Sequence, residues 1–181
     1  MRKMICVLIV CIMLVTMTGC GNDLKQYHVD DDIVFICVYR NAAWGFQFRG
    51  TAIYDNGHIV SFALTENKYD SMTADKDENT QEFNKELLEY VSSRPVDNTV
   101  TLNAADVASN YLIFLKVDPN AEFTSEQNRY DYGQNTYYGV IYDEKGNGEF
   151  IEIYSFGDYI RTMQDTNAQK VAKWMVNSIG E

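Results

Sequence analysis

The sequence predicts an α+β domain in which an antiparallel sheet of about five or six strands packs against three helices. Asn56-Gly57 lies between two strand-like runs, and the turn sequence DEKGNG at 143–148 lies between TYYGVIY and EFIEIYSF. Such turns join sequential strands directly, which favours antiparallel pairing over parallel βαβ winding. Three capped segments with apolar residues at helical spacing predict the helices.

The first group of strands begins directly after an acidic stretch. Residues 33–40, IVFICVYR, are apolar and β-branched, which is typical of a buried strand. Residues 44–54 alternate aromatic side chains with Gln47 and Arg49, and residues 58–64, HIVSFAL, complete the first hairpin. Short runs before the second and third helices add one or two weaker strand signals.

Each predicted helix has a capping residue at its start. Asn79 and Thr166 are each followed three residues later by Glu or Gln, which is the capping-box spacing. Asn103 is the predicted cap of the middle helix, and Pro95 and Pro119 end the first two helices. The polar segment that precedes the first helix is predicted to be an acidic loop.

Two stretches of the chain look alike. GTAIYDNG at 50–57 and GVIYDEKGNG at 139–148 are both predicted hairpins, and each lies upstream of a helix. A duplicated hairpin-and-helix unit would explain the likeness. Independent convergence on favourable hairpin residues is the simpler explanation.

The N-terminus has the parts of a bacterial export signal. Two basic residues precede the uncharged apolar run 5–15, which is too short to cross a hydrocarbon core of ~30 Å. Residues 17–20, MTGC, resemble the lipobox of bacterial lipoproteins, with Met17 in place of the commoner leucine. The resemblance implies that Cys20 receives a diacylglyceryl group and becomes the first residue after cleavage. An ordinary signal peptide with a chance cysteine is the alternative.

Cleavage at this point divides the chain into three parts. Residues 1–19 are the signal peptide, 20–32 the lipidated N-terminus and acidic tether, and 33–181 a single globular domain. The mature chain of 162 residues has a net charge of −13, which disfavours nucleic acid as a partner. Cys37 is its only cysteine besides Cys20, so no intramolecular disulfide is expected.

Candidate catalytic and metal sites are weak. Asp75 to Glu86 matches four ligand positions of the EF-hand calcium loop, but Thr80 stands where the turn requires glycine. A solvated loop explains the same residues. A Cys37–His58 dyad would need a reactive thiol inside an apolar strand, where cysteine is usually an inert hydrophobe. We therefore assign no catalytic residue, no metal and no cofactor from the sequence.

Four tyrosines form the candidate binding surface. Tyr130, Tyr132, Tyr137 and Tyr138 lie among glycine and amide residues in the segment NRYDYGQNTYY. This composition is typical of adaptable protein-binding surfaces, and the same rings could stack on wall sugars. The alternative is that the tyrosines alternate in half-buried strands, for which tyrosine is well suited.

Two segments carry a further resemblance. WGFQFRGTAIYDNGHIVSF at 44–62, and GDYIR at 157–161 with the tryptophan-bearing helix that follows, resemble small lipoproteins of Gram-positive bacteria. The resemblance implies export and lipid anchoring. It brings no established activity, so it assigns no functional residue.

These features predict a membrane-anchored lipoprotein on the extracytoplasmic face of the cell membrane. Its expected role is that of a non-catalytic binding or accessory module for a protein, a peptide or a cell-wall glycan. One alternative is an extracellular hydrolase whose carboxylate pair the sequence does not single out. The other is a structural subunit of an envelope complex, which would present an exposed apolar patch.

Overall fold

The computed structural model describes residues 32–73 and 80–179. Within these residues the chain forms eight strands and four helices. The predicted architecture of five or six strands with three helices is therefore wrong, although the fold is α+β with an antiparallel sheet. The elements are β1 Ile33–Asn41, β2 Gln47–Tyr54, β3 His58–Leu64, α1 Glu66–Thr73, α2 Gln81–Ser92, β4 Asp97–Thr101, α3 Ala104–Phe114, β5 Phe123–Gln127, β6 Gln134–Tyr142, β7 Gly148–Gly157, β8 Tyr159–Met163 and α4 Thr166–Ile179.

The strands and the helix that the sequence patterns did not clearly predict are short. Strands β4, β5 and β8 have five residues each, which is too short for an alternating pattern to stand out. Helix α1 lies in the segment predicted to be an acidic loop, and its eight residues are mostly polar. It packs on the sheet through Met72, which is fully buried, and through the partly buried Tyr69. Tertiary packing therefore makes this segment helical despite its weak helical pattern.

The strands lie side by side in the order β4-β3-β2-β1-β6-β7-β8-β5. Consecutive strands β1, β2 and β3 form one meander, and β6, β7 and β8 form another. The two meanders meet at the centre of the sheet, where β1 pairs antiparallel with β6 from Phe35 opposite Gly139 to Arg40 opposite Gln134. This central pairing joins segments about one hundred residues apart. It brings both predicted hairpins into one sheet.

Helices cover both faces of the sheet. On the first face, α1 and α2 pack against strand residues such as Ile36 and Val60. On the second face, α3 and α4 pack against strand residues such as Phe35, Ile53 and Tyr137. The two clusters separate because successive side chains of a strand point to opposite faces of the sheet.

The two similar stretches lie on either side of the central strand β1. GTAIYDNG belongs to β2 and its turn, and GVIYDEKGNG belongs to β6 and its turn. Because both strands pair antiparallel with β1, they are parallel to each other, and an axis along β1 that exchanges them also exchanges the two faces of the sheet. The positions of α2 on the first face and α4 on the second are compatible with a duplicated unit.

The helix caps differ in part from those predicted. Asn103 caps α3 as predicted, since its side-chain oxygen accepts a hydrogen bond from the N–H of Ala105 at 2.9 Å. Helix α2 is capped by Thr80, and Asn79 lies outside the described residues. Helix α4 is capped by Asp165, one residue before the predicted cap.

In the described part of the chain, none of the helices has the length and apolar character needed to cross a bilayer.

Candidate binding groove

The second face of the sheet is only partly covered by helices. Phe35 and Ile53, near one end of their strands, are fully buried beneath α3 and α4. Toward the other end of the same face lies an open groove with a volume of about 1050 Å³. We call this feature the sheet groove. It is lined by Cys37, Tyr39, Arg49, Gly50, Thr51, Ser61, Phe62, Ala63, Arg94, Pro95, Arg129, Tyr132, Asn135, Phe156 and Ile179.

The floor of the sheet groove consists of two adjacent rows of side chains that run across the strands. The outer row contains one residue from each of five neighbouring strands, in the order Ala63, Arg49, Tyr39, Asn135 and Phe156. The inner row begins with Ser61, Thr51 and Cys37. With strands ~4.8 Å apart, five strands give a floor ~19 Å long. These three inner-row residues have small side chains, whereas the outer row contains Arg49, Tyr39 and Phe156.

The walls come from segments that are distant in sequence. Ile179, the last residue of α4, stands on one side, and Arg94-Pro95, just after α2, on another. Tyr132 belongs to the loop between β5 and β6. Its N–H donates to a carboxylate oxygen of Asp158 at 2.8 Å, and its carbonyl accepts a hydrogen bond from the hydroxyl of Tyr39 at 2.9 Å. The floor and this wall are therefore tied together.

Three arginines give the sheet groove a positive character. Arg49, Arg94 and Arg129 all line it, and none of the three has a carboxylate within 4 Å among the residues that the structure describes. Nor does any described lining residue carry a carboxylate. In a chain with a net charge of −11, this is a local reversal of sign.

Aromatic rings hold the guanidinium groups in place. The guanidinium carbon of Arg49 lies 4.7 Å from the ring centre of Tyr39. That of Arg129 lies 4.5 Å from the ring centre of Tyr132 and 6.0 Å from that of Phe156. Stacking of this kind leaves the N–H groups at the guanidinium edge available for a planar acceptor. The arrangement can bind a carboxylate or a phosphate.

Cys37 lies on the floor but has the properties of a core thiol. It is 8% exposed, and burial raises its pKa to about 12, although a hydrogen bond with Tyr137 acts in the opposite direction. The thiol is therefore protonated at neutral pH and a poor nucleophile. His58 lies two strands away and three residues further along, or ~10 Å in each direction. The two side chains do not form a dyad.

Metal ligands are sparse in the described residues, where no group of three His, Cys, Asp or Glu side chains could hold an ion. Of the calcium-loop candidate, Asp75, Asp77 and Asn79 lie outside the described residues, and Glu86 lies within α2. Cys20, the predicted lipid attachment site, also lies outside the described part of the chain.

The four candidate tyrosines do not share one surface. Tyr137 is fully buried in the second-face core, whereas Tyr138 points to the first face and packs against Phe150 with ring centres 5.6 Å apart. Tyr130 and Tyr132 are 81% and 46% exposed on the loop before β6. Of the four, Tyr132 lines the sheet groove.

The three arginines were not predicted as site residues. The alternation of residues 44–54 does place Arg49 on the polar side of its strand, but it does not show that helices leave that end of the face open. Arg94 and Arg129 lie in loops, where no periodic pattern applies. Arg129 reaches the groove beside the other two only because β6 pairs with β1.

Comparison of the chain with protein-family models, with curated proteins and with solved structures gives no match.

Proposed function

We propose that the protein is a lipid-anchored lipoprotein of the extracytoplasmic membrane face that binds a ligand in the sheet groove without transforming it. The observation that carries this proposal is the set of three arginines that face an open groove without a carboxylate partner among the described residues. All three side chains are exposed, so their guanidinium groups are accessible to a ligand that enters the groove. A charge-assisted hydrogen bond from a guanidinium group to an anion is stronger than a neutral one.

The chemistry of the lining favours binding over catalysis. Arg49, Ser61, Thr51 and Asn135 offer hydrogen-bond donors and acceptors, and the rings offer apolar contact. A two-carboxylate hydrolysis needs an acid and a second carboxylate facing one another, and the described lining contains neither. The thiol of Cys37 is held in its protonated form. The groove is suited to holding a ligand, and we assign it no reaction.

Membrane anchoring is supported by the lipobox-like MTGC at residues 17–20. Two acyl chains on Cys20 would hold the protein stably, because each buried CH₂ contributes ~0.8 kcal/mol. The mature chain offers no compensating basic patch at its start, since residues 21–32 include four aspartates and one lysine. Anchoring is therefore expected to depend on Cys20 alone.

Substitution of this cysteine tests the anchor. The wild-type protein should fractionate with membranes and partition into the detergent phase of a cloud-point extraction. Cys20→Ala should move to the aqueous phase or persist as an unprocessed precursor. Cys11→Ala is the matched control, because it alters a cysteine of the apolar run and should leave both processing and partitioning unchanged. An unmodified Cys20 at the mature N-terminus, detected by mass spectrometry, would refute lipid anchoring.

Filling the groove tests ligand binding. The full-length protein, purified in a non-ionic detergent, serves as bait for solubilised membranes and for wall fragments. Components retained by the wild type should be lost with Ser61→Trp, which places an indole on the groove floor. They should be kept by Ser125→Trp, an exposed strand position on β5 outside the groove. Retention of the same components by both variants would show that the sheet groove is not the binding site.

A further inference from the structure

The geometry points to an acidic peptide segment, bound in an extended conformation along the sheet groove, as the ligand. This inference rests on the proposed binding function and specifies its ligand. Its basis is the position of the arginines along the floor, the use of the aromatic rings, and the overall charge of the protein.

The cations are spread along the floor. Arg49 projects from β2 over Tyr39 of β1, and Arg129 lies over Phe156 of β7 at the other end of the outer row. Two strand spacings, ~10 Å, separate the ring of Tyr39 on β1 from that of Phe156 on β7. An extended peptide rises ~3.3 Å per residue, so it can present acidic residues two to four positions apart to the two guanidinium groups.

The aromatic rings are engaged by arginine. The faces of Tyr39 and Tyr132 that meet guanidinium groups are not available to a sugar ring. Their contribution is to orient Arg49 and Arg129, so that the edges of the planar groups can each bind a carboxylate through two hydrogen bonds. This use of the rings favours an anionic ligand over a neutral wall glycan.

The charge of the whole chain favours a ligand with few anionic groups over a polyanion. Outside the groove a polyanion would meet a mature chain with a net charge of −13 and would be repelled. A short peptide with two or three carboxylates among neutral residues needs only the groove. The floor of ~19 Å accommodates about six extended residues. Thr51, Ser61 and Asn135 lie along it as partners for peptide N–H and C=O groups.

The test uses defined probes and the full-length protein in a non-ionic detergent. The probe is a fluorescein-labelled heptapeptide in which Glu and Ala alternate. Its binding is measured by fluorescence anisotropy. We expect binding that weakens from 50 to 300 mM NaCl, and at least tenfold weaker binding of the peptide in which Gln replaces every Glu. Absence of binding, or equal binding of the Gln peptide, would overturn the inference.

Arginine variants locate the binding site. Arg49→Gln and Arg129→Gln should each weaken binding of the Glu peptide about tenfold. Arg40→Gln is the matched control, since it removes the same charge from β1 but on the opposite face of the sheet. It should change binding by less than twofold. An equal loss in all three variants would show a general charge effect and would overturn the inference, and thermal unfolding of each variant establishes that it is folded.

A second probe separates this inference from the proposed function. If a glycerol phosphate oligomer binds more tightly than the Glu peptide, and Arg49→Gln abolishes that binding, the ligand is an anionic polymer. The peptide inference then fails while the binding function stands. If Ser61→Trp retains every component that the wild type retains, the binding function itself fails.

Discussion

The ring of Phe114 occupies the space directly above Gly139 at the centre of the sheet. A β-carbon at Gly139 would lie 2.3 Å from two carbons of this ring. Phe114 is 1% exposed, and its ring lies 5.9 Å from the ring centres of both Phe35 and Tyr111. Because Gly139 has no side chain, α3 can approach the sheet closely and cover this part of the second face.

Gly139→Ala should therefore destabilise the protein, because the added methyl group must displace a buried ring. Overpacking of this kind costs about 1–3 kcal/mol of unfolding free energy, measurable by urea denaturation. Adding Phe114→Leu should recover part of the loss, so that the double variant is less destabilised than the sum of the single ones. Strict additivity would show that the contact does not limit the approach of α3.

A second contact joins the same helix to the sheet. The buried hydroxyl of Tyr111 donates to the carbonyl of Val140 at 2.8 Å, whereas Tyr90 of α2 makes an exposed bond of 2.9 Å to the carbonyl of Ala63. Tyr111→Phe should cost about 1 kcal/mol, and Tyr90→Phe should cost less because water replaces the exposed bond. Equal losses in the urea midpoint would contradict this difference.

Local sequence signals predicted the features that depend on a few neighbouring residues. The hairpin at Asn56-Gly57 forms as predicted, with Gly57 at a φ of +87° and its N–H bonded to the carbonyl of Tyr54. Asn103 caps its helix. Helix α1 escaped prediction because its helical form depends on the burial of Met72 against distant strands.

The sheet groove could not be predicted from the sequence for a similar reason. Alternation along β2 does indicate that Arg49 and Thr51 share a face with Ile53. It does not indicate that α3 and α4 cover Ile53 and leave Arg49 open. Arg129 reaches the same groove only because β6 pairs with β1, and no local pattern specifies which distant strands pair.

Asp165 provides a prediction about pH. Its carboxylate accepts hydrogen bonds from the N–H groups of Asn167 and Ala168, at 2.7 and 2.9 Å. Burial disfavours the charged form, but these bonds and one from Asp118 outweigh it and hold the pKa below its usual value. Asp165→Ala should lose about 0.5–2 kcal/mol at neutral pH, whereas Thr166→Ala, the neighbouring exposed position, should lose less.

The stabilisation by Asp165 should depend on pH in a defined direction. Because its pKa is lower in the folded than in the unfolded protein, the contribution is present above the unfolded pKa of ~3.9 and is lost as the pH falls. The difference between the wild type and Asp165→Ala should therefore shrink between about pH 5 and pH 3. A difference that stays constant over this range would mean that the carboxylate charge does not contribute to the cap.

Cys37 should make the unfolding free energy depend on pH in the alkaline range. Its pKa is raised by burial to about 12 in the folded protein, against ~8.5 when unfolded. The folded state therefore keeps a proton that the unfolded state loses, and stability falls as the pH rises above the unfolded value, by at most ~1.4 kcal/mol per pH unit for one proton. Cys37→Ala lacks this term, so its stability difference from the wild type should narrow between pH 8 and 10.5. Val38→Ala alters the equally buried neighbour on the opposite face, and its difference in unfolding free energy from the wild type should stay constant over this pH range. If the two variants behave in parallel in urea unfolding, the thiol is not the group that titrates.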